Sequence, residues 1–311
     1  MNVPPSLLGG VGLALSAHSL LALNDSVFGI SGFLHRAVRG AGEGAVGVLA
    51  LISGGFVVGM LEGADVPMLG GTSTVRLAVS GLLVGLGTKL ANGCTSGHML
   101  CGISRLSSRS LAATLTFFST AALTARLLHN DLTSAATGFP GTSDNDVLLL
   151  SGAALSLGAA WAISASRRPT SDPNAAVTVN DSARRYPIQF CSALGFGLSL
   201  RVSRLVDPNR VLGFLLLPIH PSFDPALLYL AAGAMPLLTA LYWAGPTRLK
   251  NKTNIDARLL VGAAIFGVGW GIDGICPGPG LVNFGHALAV GQHVSEFGVW
   301  LAAAVAGGLF V

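Results

Sequence analysis

Long apolar runs separated by short polar stretches dominate this chain, and their lengths are those of membrane-crossing helices. Nine stand out, at about 4–23, 43–61, 75–91, 109–129, 147–164, 187–204, 225–243, 258–274 and 294–311. A span takes about 20 mostly apolar residues, so the shorter runs must tilt, break or thin the bilayer. Two places depart from plain spans. After Cys94 the chain reads TSGHMLCGISRLSSRS, too polar and too interrupted to cross, and after Cys276 it reads PGPGLVNFGHALAVG. Each is predicted to be a helix ending near its cysteine, a break, and a re-entrant half-helix. Pro277 and Pro279 suit the first turn of such a new helix. Broken backbone at membrane depth is tolerated only where protein or a wet cavity surrounds it.

The two breaks are versions of one phrase. Gly85, Gly87, Gly93 and Cys94 recur as Gly267, Gly269, Gly274 and Cys276, with each cysteine nine residues after the first glycine. Farther out, Gly12, Leu15, Ser16 and Asn24 fall opposite Gly195, Leu198, Ser199 and Asp207, 183 residues on. The offset maps the first four spans onto the last four and leaves the fifth as a connector. One extra crossing starts the second half from the opposite side, so the halves read as inverted repeats. The predicted architecture is therefore all-α: a polytopic membrane protein of about nine transmembrane helices in two inverted pseudo-repeats with re-entrant half-helices. Residues 1–165 form the first repeat and its connecting span, 166–186 a polar linker rich in Pro, Ser, Asp and Arg, and 187–311 the second repeat.

Composition agrees. Charged residues make up 10% of the 311 and the mean hydropathy is +0.66, whereas soluble domains carry about 25% charged residues. The net charge of +4 is small and scattered, which excludes a nucleic-acid partner. With nine spans, one face holds 12 of the 18 basic residues, among them Arg36, Arg39, Arg105, Arg109, Arg167, Arg168, Arg248, Lys250, Lys252 and Arg258. The positive-inside rule then places the N-terminus outside and the C-terminus in the cytoplasm, in the cell membrane.

Candidate chemistry gathers at the breaks. Half-helix N-termini present unsatisfied N–H groups and a positive dipole end, which suits an anion. A thiol there is a weak donor with a polarisable sulfur, able to bind or exchange with another sulfur atom. Buried cysteine also simply fills space, and Cys191, mid-span without a motif, reads that way; Cys101 stays open between the two roles. Lys89, five residues before Cys94, either attracts an anion or snorkels to the interface, and a pairing with Asp273 is one further option. His98 lies four residues after Cys94, but the chain has no Cys-x-x-Cys and too few ligands for a zinc pattern. Gly93, Gly97 and Gly278 belong to the breaks. Thr95, Ser96 and Asn283 offer neutral donors, although helix capping accounts equally well for Thr95 and Ser96. No cofactor is implied, and the absence of a P-loop excludes ATP hydrolysis by this chain.

At these residues a family resemblance enters. GLGTKLANGCTSGHMLCGISRLSSRSLAATLTFF (85–118), GVGWGIDGICPGPGLVNFG (267–285) and GFGLSLRVSRLVDPNRVLGFL (195–215) resemble the YeeE/YedE family of sulfur-transport membrane proteins. The resemblance implies an hourglass-like, pseudo-two-fold fold narrowed by inward-dipping loops, in which cysteines at the constriction pass thiosulfate along; by motif these are Cys94 and Cys276. Some relatives carry a third functional cysteine in the first span, but none stands here before Cys94. Lys89 stands where many relatives have arginine. Two readings follow. In the first, a non-enzymatic permease in the lipid bilayer passes thiosulfate or a similar small sulfur-containing anion. In the second, a cysteine holds a persulfide and hands its sulfur to a cytoplasmic acceptor, although no rhodanese-like active loop is present.

Overall fold

A computed structural model describes residues 3–63, 66–68, 70–132, 142–166, 179–245 and 253–311. Most of the expected linker (167–178) and the basic residues Arg167, Arg168, Arg248, Lys250 and Lys252 lie outside these. The elements are α1 Pro5–Asn24, α2 Ile30–Val38, α3 Gly42–Glu62, α4 Thr74–Ala91, a π-helical segment Ser96–Ile103, α5 Ser108–Leu128, α6 Asp144–Ala165, α7 Val179–Val202, α8 Pro208–Leu215, α9 Ala226–Ala244, α10 Ala257–Asp273, α11 Pro277–Val290 and α12 Val294–Leu309. No strand occurs among the described residues. The protein is an all-helical, polytopic membrane protein.

Polar residues start several of the helices, and left-handed residues stop α1, α4, α10 and α11. Ser73 accepts from the N–H of Arg76, Ser107 from Ser110 and Asp256 from Leu259, while Ser143 and Asp146 form a reciprocal capping box. Seven apolar stretches are long enough to cross a membrane among the described residues, the continuous stretch Ala257–Val290 counting as one. Every expected span coincides with a helix. Two fall outside the seven for plain reasons: the first turns of α7 are polar, and α12 has 16 residues. Helix α7 also begins at Val179, ahead of the span expected from 187, and carries Pro187 inside it. The short helices α2 and α8 escaped the apolar pattern because they have nine and eight residues, too few to register as spans.

Pairing α1–α5 with α7–α10 and α12, and the π segment with α11, exchanges the packing contacts among themselves. α1 packs on α9 as α7 packs on α3, α4 packs on α12 as α10 packs on α5, and α2 touches α12 as α8 touches α5. The pairs α1–α7 and α4–α10 map onto themselves. This is the contact pattern of two copies about a dyad, with α6 as the connector against α7 and α1.

The repeated Gly-x-Gly explains the closeness of these packings. A Cβ on Gly85 would lie 1.9 Å from the Ala304 carbonyl oxygen on α12, and one on Gly267 would lie 2.3 Å from the Phe117 carbonyl oxygen on α5. Small residues let membrane helices gain dispersion contact where lipid removes the hydrophobic drive between them. The opening of the doubled phrase is thus a packing device inside intact helices; the break itself comes later. Outside, Leu115, Leu123, Leu127 and Leu155 are exposed, an apolar surface suited to lipid.

Candidate functional site

Both helices that lead to the cysteines end in the same way. Asn92 closes α4 at φ 57° and Gly274 closes α10 at φ 69°, each two residues before its cysteine. A left-handed residue releases the chain from the helix and turns it sharply. At Gly274 no other residue fits, since a Cβ would sit 2.7 Å from the Pro208 carbonyl oxygen. After the turns the halves differ. The second restarts as α11, with Cys276 at its N-cap and Pro277 in its first turn. The first restarts as the wider π-helical segment, anchored by the His98 N–H on the Cys94 carbonyl at 2.8 Å; π geometry is uncommon and frequent at functional sites.

The breaks converge. Cys94 and Cys276, 2% and 3% exposed, line one cavity of about 130 Å³ together with Thr95, Ser96, Gly278 and Pro279. The rest of its wall is apolar, including Leu13, Phe196, Leu230, Met235 and Trp270. Thr95 donates to the Cys276 sulfur at 3.6 Å, joining the halves. The Ser96 hydroxyl lies 3.3 Å from the Cys94 sulfur and accepts from the Ile30 N–H at 3.2 Å. With that oxygen engaged as an acceptor, its proton is available to Cys94. Each sulfur therefore has a hydroxyl neighbour.

On the other side of the 93–99 stretch lies a larger cavity of about 530 Å³, the vestibule. Gly93, Gly97 and His98 face it while Cys94, Thr95, Ser96 and Met99 face the chamber. The Ile30–Ser96 hydrogen bond and the Phe28–Phe196 stack, 4.1 Å between centroids, stand between the two. The vestibule is lined by Arg36, Lys89, Arg105 and Arg109, with Thr88, Ser107, Ser110 and His35, and by no carboxylate among the described residues. His98 spans 3.1 Å from Nε2 to the Ala91 carbonyl and 3.2 Å from Nδ1 to the Ser110 hydroxyl. Nε2 donates to the carbonyl, and Nδ1 shares its hydrogen bond with a hydroxyl that can donate or accept.

Several sequence expectations resolve here. Asp273 does not pair with Lys89. Its carboxylate binds the Arg76 guanidinium at 2.7 Å and the Ser80 hydroxyl, and Trp300 Nε1 donates to Ser80 at 3.1 Å. The reason is directional: Lys89 ends α4 beside Cys94, whereas Arg76 begins it, at the end where α10 finishes. Cys101 is fully buried and donates to the Phe28 carbonyl at 3.5 Å, lining neither cavity. Cys191 lies partly buried beside Leu23, Ala160 and Ile188. Asn283 donates to the Val206 carbonyl at 2.8 Å and also lines neither cavity. No group of three or more His, Cys, Asp or Glu able to hold a metal occurs among the described residues. Sequence reasoning missed His35, Thr88, Phe28 and Phe196, because nothing local marks a side chain that meets the site only through packing.

Two family models match separate parts of the chain. A family described as sulphur transport matches residues 7–123, and a family of unknown function (DUF6691) matches 185–310. A probable transporter of Xylella fastidiosa strain 9a5c is 37% identical over 124 residues, covering 39% of this chain and 92% of the relative. A probable transporter of strain Temecula1 is 36% identical over 124 residues with the same coverage, and another of that strain is 32% identical over 122 residues, covering 34% of this chain and 78% of the relative. No solved structure matches. Doubled glycine–cysteine breaks, a dyad-related helical fold and these relatives agree: the chain belongs to the sulphur-transport family of membrane proteins.

Proposed function

We propose that this protein is a permease that admits thiosulfate or a closely related small sulfur-containing anion through a central constriction formed by Cys94 and Cys276. The observation that carries this reading is the shared chamber, where one buried thiol from each half faces a single small cavity. A permeating anion must shed water there, because most of the wall is apolar, and unpaired polar groups are costly in such surroundings. Thiosulfate carries a terminal sulfur that is softer and more weakly hydrated than an oxyanion oxygen, so it loses less than sulfate does on entry. The two thiols replace part of the lost hydration with S–H contacts weak enough to release. Thr95 and Ser96 hold the sulfurs in place. With the basic vestibule on the cytoplasmic side, as the positive-inside rule directs, the route runs from outside, past the thiols, into the vestibule.

The test is growth on thiosulfate as sole sulfur source, in a host stripped of other uptake routes. The parent chain supports growth; well-expressed Cys94→Ser and Cys276→Ser variants lose most of it. Growth of both variants at the parent's rate would remove the thiols from the mechanism. Intact-protein mass spectrometry after thiosulfate exposure is expected to show no stable +32 Da adduct, the signature that a persulfide carrier would leave (roughly the mass of one sulfur).

A further inference from the structure

The vestibule breaks the symmetry of the two halves. Arg76 and Arg258 occupy equivalent positions, 182 residues apart. In the second half Asp273 is present to bind Arg76, but its counterpart in the first half is Ala91, and Lys89 stands where the second half has Gly271. On the far side of the molecule the basic residues are matched by acids: Arg201 with Glu62, Arg204 with Asp146 and Arg210 with Asp224. In the vestibule Arg109 is instead held by the Asn254 carbonyl at 2.7 Å. A carbonyl fixes a guanidinium without cancelling its charge. Arg39 and Arg258 also lie within electrostatic reach of Lys89, adding to the positive field.

We propose that the vestibule is itself a binding site for one small divalent oxyanion, held by Lys89, Arg36 and Arg109 with the hydroxyl of Ser107. A cavity of about 530 Å³ lined by Lys89, Arg36 and Arg109, with no carboxylate among the described residues of its wall, concentrates positive charge that an anion can offset. A dianion gains twice the Coulomb attraction of chloride at the same distance. The site rests on the permease reading only for its place in the route: an anion leaving the chamber past Ser96 meets these cations first.

Equilibrium dialysis of the full-length protein in phosphatidylcholine nanodiscs against radiolabelled sulfate tests the site without requiring transport. One saturable site is expected, weakening as salt is raised. Lys89→Gln should lower affinity by about tenfold while Lys89→Arg stays within about twofold, as loss and retention of one charge contact dictate. The Cys191→Ala variant, at a cysteine that lines neither cavity, should bind like the parent. Unchanged binding by a folded Lys89→Gln, or no saturable binding by the parent, overturns the proposal. So does loss of sulfate binding on moving to phosphatidylglycerol nanodiscs, which would mark a lipid-headgroup site; equal affinity in both lipids supports a soluble anion. Sulfate binding without thiosulfate uptake would sink the permease reading and leave the vestibule site standing, and uptake with Lys89-independent binding would do the reverse.

Discussion

The hydroxyl of Thr95, from the first half, donates to the sulfur of Cys276, from the second, across 3.6 Å. The contact runs between the two breaks, so the geometry of one thiol depends on the opposite repeat. Thr95→Val keeps the shape and removes the donor. Uptake of thiosulfate is expected to fall about fivefold, the worth of one modest hydrogen bond, with Thr95→Ser close to the parent. Parent-level uptake in Thr95→Val would show that the contact is incidental.

The end of α10 is held by a buried ion pair. Asp273 is 1% exposed at its side chain, and Arg76 binds both its carboxylate and the Ile272 carbonyl. Asp273→Asn leaves the guanidinium without its counter-charge and should cost about 3 kcal/mol, seen as a lowered melting temperature in detergent. Adding Arg76→Gln should restore part of the loss, because the remaining uncompensated charge is gone. A double variant less stable than the single would refute this account.

Glycine in the doubled phrase acts through helix contact. Gly85→Ala and Gly267→Ala each place a methyl group inside backbone of a neighbouring helix and should cost about 2 kcal/mol or more. Gly158→Ala has open space within 4 Å and should be neutral or slightly stabilising, since it lies inside α6. Thermal melts of the three variants side by side distinguish packing from a general intolerance of substitution.

His35 gives the fold an acid sensitivity. It lies on the short helix α2, outside the spans, with Nε2 donating to the Thr88 hydroxyl at 3.2 Å. Burial, then the Lys89 and Arg39 charges, lower its pKa from 6.5 to about 4. The folded state therefore prefers the neutral ring, and the unfolded chain takes up the proton first as pH drops. This contribution to stability is complete above pH 6.5 and is lost as pH falls from about 6.5 to about 4. Over that window the parent's melting temperature should fall more steeply than that of His35→Gln. Parallel curves would mean that His35 titrates normally.

The apolar runs, the offset near 182 residues and the placement of Cys94 and Cys276 were all legible in the one-dimensional pattern, because span length and repeat spacing are local or periodic properties. Only the tertiary structure decided which charges are matched: Arg76 takes Asp273 from a helix almost 200 residues away, while Lys89 opens into a vestibule with no carboxylate among its described lining residues. It also assigned the Gly-x-Gly to helix contact, gave Cys101 to the Phe28 carbonyl, and set Ile30 against Ser96 between the two cavities. These pairings depend on how helices cross and which faces meet, and a residue's own neighbours in sequence carry no record of that.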